Sequence, residues 1–315
     1  MGVIMSIRTR NRILPVLMLA IAFTLSCNRK KSSSGAAQKT FASPEAAGSA
    51  LLDAAKSGDQ NALMNIFGPG GKDLIYSGDA VKDKNTAARF VSAYEQMNRW
   101  SKSQSGEHIL YIGADNLAFP IPLKQESSGQ WIFDTAAGRD EILARRIGDG
   151  ELTTIGVLSE IANAQHEYFN VKHQFAQKFV SDPGQQNGLY WPVAENQPPS
   201  PLGPLAEVAK ALGYSHSDTP QPFNGYYYRI LTQSSANGEI KNFLQDGKLT
   251  GGFAVVAWPA KYHDSGIMTF EVDQGGVVRQ KDLGVKTPDA STAVAAYDPG
   301  WTVVLEPESA HVAMK

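Results

Sequence analysis

The stretch NGYYYRILTQSSANGEIKNFLQDGKLTGGFAVVAWPAKYHDSGIMTFEVDQGGVVRQKDLG, Asn224 to Gly284, decides the fold. Three runs rich in β-branched and aromatic residues, YYYRIL, FAVVAW and IMTFEV, are separated by Gly, Asn, Asp and Ser clusters, and a shorter GGVVRQ run follows. Such runs bounded by turn residues read as strands. Alternation sets Tyr226, Tyr228 and Ile230 on one face and Tyr227, Arg229 and Leu231 on the other. The expectation is an antiparallel meander with one covered face and one partly wet face.

Upstream, Glu151 to Val171 carries the longest helical pattern, with Ile155, Leu158, Ile161, Ala162, Gln165 and Tyr168 along it. It is preceded by a short charged helix, Arg139 to Ile147, and Gly148 to Gly150 reads as a break between the two. Further back, Phe41-Ala-Ser-Pro-Glu45 places Ser43 as N-cap and Pro44 at the first helical position, with Gly58 as the stop. A second helix runs from Asp59 to Phe67 and a third from Lys84 to Trp100. His108 to Gly113, Ala118 to Lys124 and Gln130 to Asp134 read as strands, the middle one an edge strand because Pro120 and Pro122 cannot donate ladder hydrogen bonds. The fold class is therefore α+β: N-terminal helices with a small antiparallel sheet, then a long helix packed on a C-terminal antiparallel β-meander. Residues 41–148 and 149–315 are expected as two domains.

The first 27 residues read as a signal peptide. Arg8, Arg10 and Arg12 form a basic start, Ile13 to Leu25 an apolar core, and Ser26-Cys27 a small-residue junction. The apolar core, about 13 residues, is too short to span a ~30 Å hydrocarbon layer. Cys27 is the only cysteine, which excludes an internal disulfide and a multi-cysteine metal site. Its position resembles the lipid-acceptor cysteine of bacterial lipoproteins, with Thr24 where that pattern has Leu. Asn28 after it, in place of the Asp that favours inner-membrane retention, implies an outer-membrane anchor. Residues 28–40 form a polar tether. Of the 29 Lys and Arg, three lie in the signal segment, and the remaining 26 stand against 31 Asp and Glu, a formal net of −5. That balance argues against nucleic acid or an anionic lipid surface as partner, and leaves the membrane only as the seat of a lipid anchor.

Several resemblances follow from these residues. The capped opening helices resemble the start of NTF2-like α+β cone domains. Leu158-Ser-Glu-Ile-Ala-Asn-Ala-Gln-His-Glu-Tyr-Phe, with Pro201-Leu-Gly-Pro-Leu205 and Gly225-Tyr-Tyr-Tyr-Arg229, resembles the globular half of a type IV pilin or pseudopilin, without the apolar helix pilins use to polymerise. The stretches FASPEAA, FPIPL, WIFDTAAGRDEIL, GLYWP, PPSPLGPL, GYYYRIL, GGFAVVAWPA and SGIMTF, in order over residues 41–284, resemble an exported bacterial family known as a domain of unknown function, DUF2950. That resemblance implies one exported architecture and transfers no catalytic residue.

For chemistry, His166 and His173 lie seven apart near Glu160 and Glu167, without the i, i+4 pair of a helical metal site. His108, His216, His263 and His311 are scattered. No G-x-S-x-G elbow is present, and Gly68-Pro-Gly-Gly71 lacks P-loop spacing and reads as a helix–helix turn. No cofactor is expected. Asp134, Arg139 and Glu141 are read as an interdomain clasp. The aromatic residues Tyr190, Trp191, Tyr227, Trp258 and Tyr262 form the candidate binding surface, suited to stacking on sugar rings or a Pro-rich peptide, while Tyr226, Tyr228 and Phe253 are assigned to the core. The favoured reading is a non-enzymatic binding or assembly factor for an envelope protein or glycan. Its rival is a cell-wall hydrolase with Asp134, Glu160 or Glu167 near His166 in one cleft.

Overall fold

Helix starts follow the local capping signals. The computed structural model describes residues 38–215, 219–289 and 294–304; the expected signal segment with Cys27, and His216 and His311, lie outside them. Helix α1 (Pro44–Ser57) begins where Ser43 Oγ accepts the Ala46 N–H at 3.2 Å and ends at Gly58, whose φ of 65° is the left-handed cap only glycine adopts cheaply. Asp59 caps α2 (Gln60–Phe67) through Ala62 N–H. A 3₁₀ turn, Pro69–Gly71, leads into the single turn α3 (Lys72–Ile75).

The third long helix, α4 (Ala80–Gln96), is shifted from its expected position because Asp79 caps it. Trp100 is not helical. It sits in β1 (Asn98–Lys102), opposite Leu110 of β2 (His108–Ile112). With β3 (Leu117–Ala118), β4 (Leu123–Gln125) and β5 (Trp131–Phe133) these form an antiparallel sheet in the order β1-β2-β4-β5, β3 pairing with β2. Pro120 and Pro122 fall between β3 and β4, where no ladder bond is required of them. Ala47, Leu51, Ile66 and Phe67 of the helices close on Leu123 and Phe133 of the sheet.

The expected break at Gly148–Gly150 does not exist. Helix α5 runs unbroken from Thr135 to Lys172. Two of its glycines serve close approach: a Cβ on Gly138 would stand 2.6 Å from Pro120 O, and one on Gly150 would stand 2.6 Å from Ser265 O. The N-terminal third of α5 packs Ile142 on the first core, and the rest packs Val157, Leu158, Ile161 and Tyr168 on the second. Spacings of three and four make that buried stripe.

Helix α6 (Gly203–Ala211) precedes the C-terminal sheet. Its strands are β6 (Tyr226–Leu231), β11 (Ala254–Pro259), β12 (Met268–Asp273), β13 (Arg279–Asp282) and β14 (Thr302–Val303), antiparallel in that order. Two small hairpins, β7 (Gln233–Ala236) with β8 (Glu239–Asn242) and β9 (Leu244–Gln245) with β10 (Lys248–Leu249), interrupt the meander between β6 and β11. Tyr226, Val255, Ala257 and Phe270 turn toward α5, as alternation predicts, and are fully buried, as is Phe253. Tyr228 packs against the same core and donates to Thr154 Oγ1 at 3.3 Å.

The other face is only partly wet: Tyr227, Arg229 and Arg279 are half-buried and Lys281 is exposed, while Val256, Trp258 and Glu271 are buried. The stretch 294–304 folds across it and buries Val294, Tyr297 and Trp301 together with Val256 and Trp258. Alternation along β6 could not foresee this, because the covering residues lie 63 or more positions downstream and carry no strand period of their own.

Candidate functional site

The aromatic set divides into three places. Tyr227 and Trp258 stack at 5.7 Å between ring centroids on the strap-covered face, with Trp258 only 8 % exposed. Trp258 is thus a core residue, and Tyr227 is half-buried beside it. Tyr190 and Trp191 are half-buried near the C-terminal end of α5, the indole of Trp191 edge-on to Tyr168 at 6.5 Å. Tyr262 belongs to the β11–β12 turn, which meets α5 at Gly150. Gly150 and Tyr168 are 18 residues apart on one helix, about 27 Å along its axis, so one small ligand cannot span the set.

Asp134, Arg139 and Glu141 do not pair with one another. Asp134 caps α5 at Ala137 N–H and pairs with Lys124 at 3.0 Å, and Glu141 pairs with Arg145 along the exposed side of the helix. Arg139 instead reaches Asp73 at 2.8 Å. One tie centres on Arg146, which donates to the carbonyls of Asp73 and Leu74 at 2.7 and 2.6 Å and to the Asp264 carboxylate. Lys261 joins Asp73 to Asp264. Its hydrogen bond holds the Asp73 carboxyl below its ordinary range; burial opposes the charge on Lys261, but the two carboxylates outweigh it and raise its pKa. A second tie uses Asp79, whose Oδ2 accepts from Tyr214 Oη at 2.7 Å and from Gly225 N–H at 2.9 Å. Every member of both ties is occupied by another part of the chain, which makes them structural.

The acid–histidine cleft does not assemble. Asp134 and His166 sit at positions 32 residues apart along α5, about 48 Å at 1.5 Å per residue. His166 bonds the Gln274 carbonyl at 3.0 Å and rests edge-on to Phe175 and Phe253. Glu160 and Glu167 are exposed, and His173 ends the helix with φ of 53°. Among the described residues, no group of three His, Cys, Asp or Glu is placed to hold a metal.

What the structure does form is a cleft of about 270 Å³ where β13 and β14 part. Strand pairing stops at Gln280 and Thr302, and the chain beyond splays. Gln280, Lys281, Asp282 and Thr302 supply polar groups, while Met268 and Trp301 supply apolar surface. The Tyr262 hydroxyl donates to the Asp282 carboxylate at 3.0 Å, and Lys281 Nζ stands 5.7 Å from the centre of the Trp301 ring. No aromatic candidate lines this cleft; Tyr262 touches it through its hydrogen bond to Asp282.

Behind the cleft wall lies a group that sequence reasoning missed. Glu271 is wholly buried, and burial pushes its carboxyl up to about 8. Arg229 Nε, Thr269 Oγ1 and Glu271 Oε1, all on the strap-covered face, have no hydrogen-bond partner. One signal was available: in IMTFEV the acid sits at a strand interior, flanked by Phe270 and Val272.

These features define an α+β protein whose long helix carries two cores and whose C-terminal sheet edge opens a small polar cleft. The profile of the family described as "Protein of unknown function (DUF2950)" matches residues 38–304, and the chain belongs to that family. No curated protein and no solved structure matches it. No helix of the described residues is long and apolar enough to cross a membrane.

Proposed function

We propose that this chain is exported by its first 27 residues, is held at the outer membrane by a lipid on Cys27, and acts there as a non-enzymatic binding factor for an envelope glycan. The observation that carries the binding reading is the β13–β14 cleft. It combines an amide, a carboxylate, an ammonium and a hydroxyl, from Gln280, Asp282, Lys281 and Thr302, with the edge of an indole. Sugar rings present hydroxyls and an apolar face to such a mixture. At about 270 Å³ the cleft suits one ring rather than an extended polymer segment. The hydrolase alternative gains no support: Asp134 lies far from His166 along α5, Glu160 and Glu167 are exposed, and the carboxyl raised furthest, Glu271, is closed to solvent.

The test uses the mature chain and purified peptidoglycan. Wild type is expected to sediment with it, and Gln280→Ala combined with Asp282→Ala to lose at least tenfold in retention while keeping its circular dichroism spectrum. Equal retention by folded wild type and double variant would remove the cleft as the site. The anchor has a separate check: intact-mass spectrometry from the producing cell should show acylation, abolished in Cys27→Ala.

A further inference from the structure

Three charged residues of the C-terminal sheet stand in one register row. Arg229 on β6 lies opposite Val256 on β11, Val256 opposite Glu271 on β12, and Glu271 opposite Arg279 on β13. Side chains in one row leave the sheet on the same face, and all three grip the same strap. Arg229 Nη2 donates to Val294 O. The Asp298 N–H donates to Glu271 Oε2 at 3.0 Å. Arg279 donates from Nε to Tyr297 Oη at 2.9 Å and from Nη1 to Trp301 O at 3.1 Å. The gripped stretch ends in Gly300, Trp301 and Thr302, which form one wall of the cleft.

The central grip differs from its neighbours. Both arginines spend their bonds on the strap, and neither donates to Glu271. The other described charged or titratable groups around the carboxyl are Lys281 on β13, Asp273 on its own strand, and Tyr297 and Asp298 on the strap. Glu271 Oε1 is left with no partner. A carboxylate so enclosed lacks the hydration or paired cation that ionisation demands. The neutral acid fits the enclosure, with Oε2 as the acceptor for Asp298.

We propose that the 294–302 strap is a proton-controlled wall of the cleft: neutral Glu271 keeps it seated, and ionised Glu271 lifts it, so ligand retention is coupled to this one carboxyl. The proposal rests on the cleft being the binding site. Its cause is desolvation, since an ionised Glu271 gains water only if the strap moves away. By linkage, a ligand that needs the seated wall raises the proton affinity of Glu271 by the factor by which the proton raises ligand affinity.

The test is hydrogen exchange of the ligand-free mature chain from pH 6 to 9.5, corrected for the intrinsic pH dependence of exchange. The amides of Tyr297, Asp298 and Trp301 report the strap, and those of Val255 to Ala257 in the same sheet serve as reference. Strap protection should fall at least tenfold with a midpoint near pH 8, the reference should hold, and Glu271→Gln should remove the step. A flat wild-type profile overturns the proposal, as does a loss shared equally by the reference strand; the wild-type profile decides even if the variant fails to fold. Sedimentation with purified peptidoglycan at pH 6.5 and pH 9 is read separately. Retention at pH 6.5 that falls at least fivefold at pH 9 supports the coupling, and equal retention at both overturns it. No retention at either pH, with the exchange step present, would overturn the cleft reading and the coupling to it but not the titration of the strap.

Discussion

Arg146 on the long helix and Asp264 in the β11–β12 turn form an ion pair whose side chains are only 13 % and 3 % exposed. They are 118 residues apart in sequence. The pair, with Asp73 and Lys261, pins the N-terminal helices and the C-terminal sheet to the same stretch of α5. Replacing Arg146 by Ala should destabilise the fold by about 3 kcal/mol, the lower end for breaking a buried pair, because Lys261 remains on Asp264. Urea unfolding of wild type and variant measures it, and a loss below about 1 kcal/mol would show the pair to be dispensable.

The glycines of α5 offer a test in which two chemically identical changes should differ in sign. Gly148→Ala meets nothing within 4 Å and should stabilise by up to about 1 kcal/mol through helix propensity. Gly150→Ala drives a methyl to 2.6 Å from the Ser265 carbonyl and should destabilise by about 1–3 kcal/mol, as overpacking does. Thermal melts of the two variants would expose a mistaken helix path if they moved together.

Glu151 caps the start of β12. Its Oε1 accepts the N–H groups of both Ile267 and Met268 at 2.9 Å. Glu151→Ala leaves two sheltered donors without a partner and should cost about 2 kcal/mol or more. Glu151→Gln, which keeps an acceptor oxygen, should cost less than half of that in denaturant titrations.

Burial of Glu271 also sets a global pH dependence. Its folded pKa, raised to about 8, lies above the ordinary 4.5. The stabilising contribution is therefore fully present below pH 4.5 and is lost as pH rises through 8, with a limiting slope of about 1.4 kcal/mol per pH unit between those values. Unfolding free energies of wild type minus Glu271→Gln, plotted against pH, should decline across that window. A difference that stays constant would mean Glu271 is ionised in the folded protein.

Much of the architecture is legible locally. Ser43, Pro44 and Gly58 delimit α1, the alternation in YYYRIL, FAVVAW and IMTFEV defines the sheet, and the α5 stripe from Ile155 to Tyr168 is a matter of spacing. Such signals survive because a cap or a two-residue period acts within a few residues of itself. The site was less legible, since its parts act over long separations. Gly150 reads as a helix break until Ser265 is found against it, and Arg139 reads as the partner of Asp134 until Asp73 arrives from a helix 66 residues away. Trp258 reads as a contact residue until it is found buried in the second core. By itself the sequence determined the α+β class, the faces of each strand and the family. Only the tertiary structure decided that a downstream strap lies on the second sheet face, that Glu271 is buried without a counter-ion, and that a cleft opens where β13 and β14 part, because each depends on which distant segment fills the space above a face.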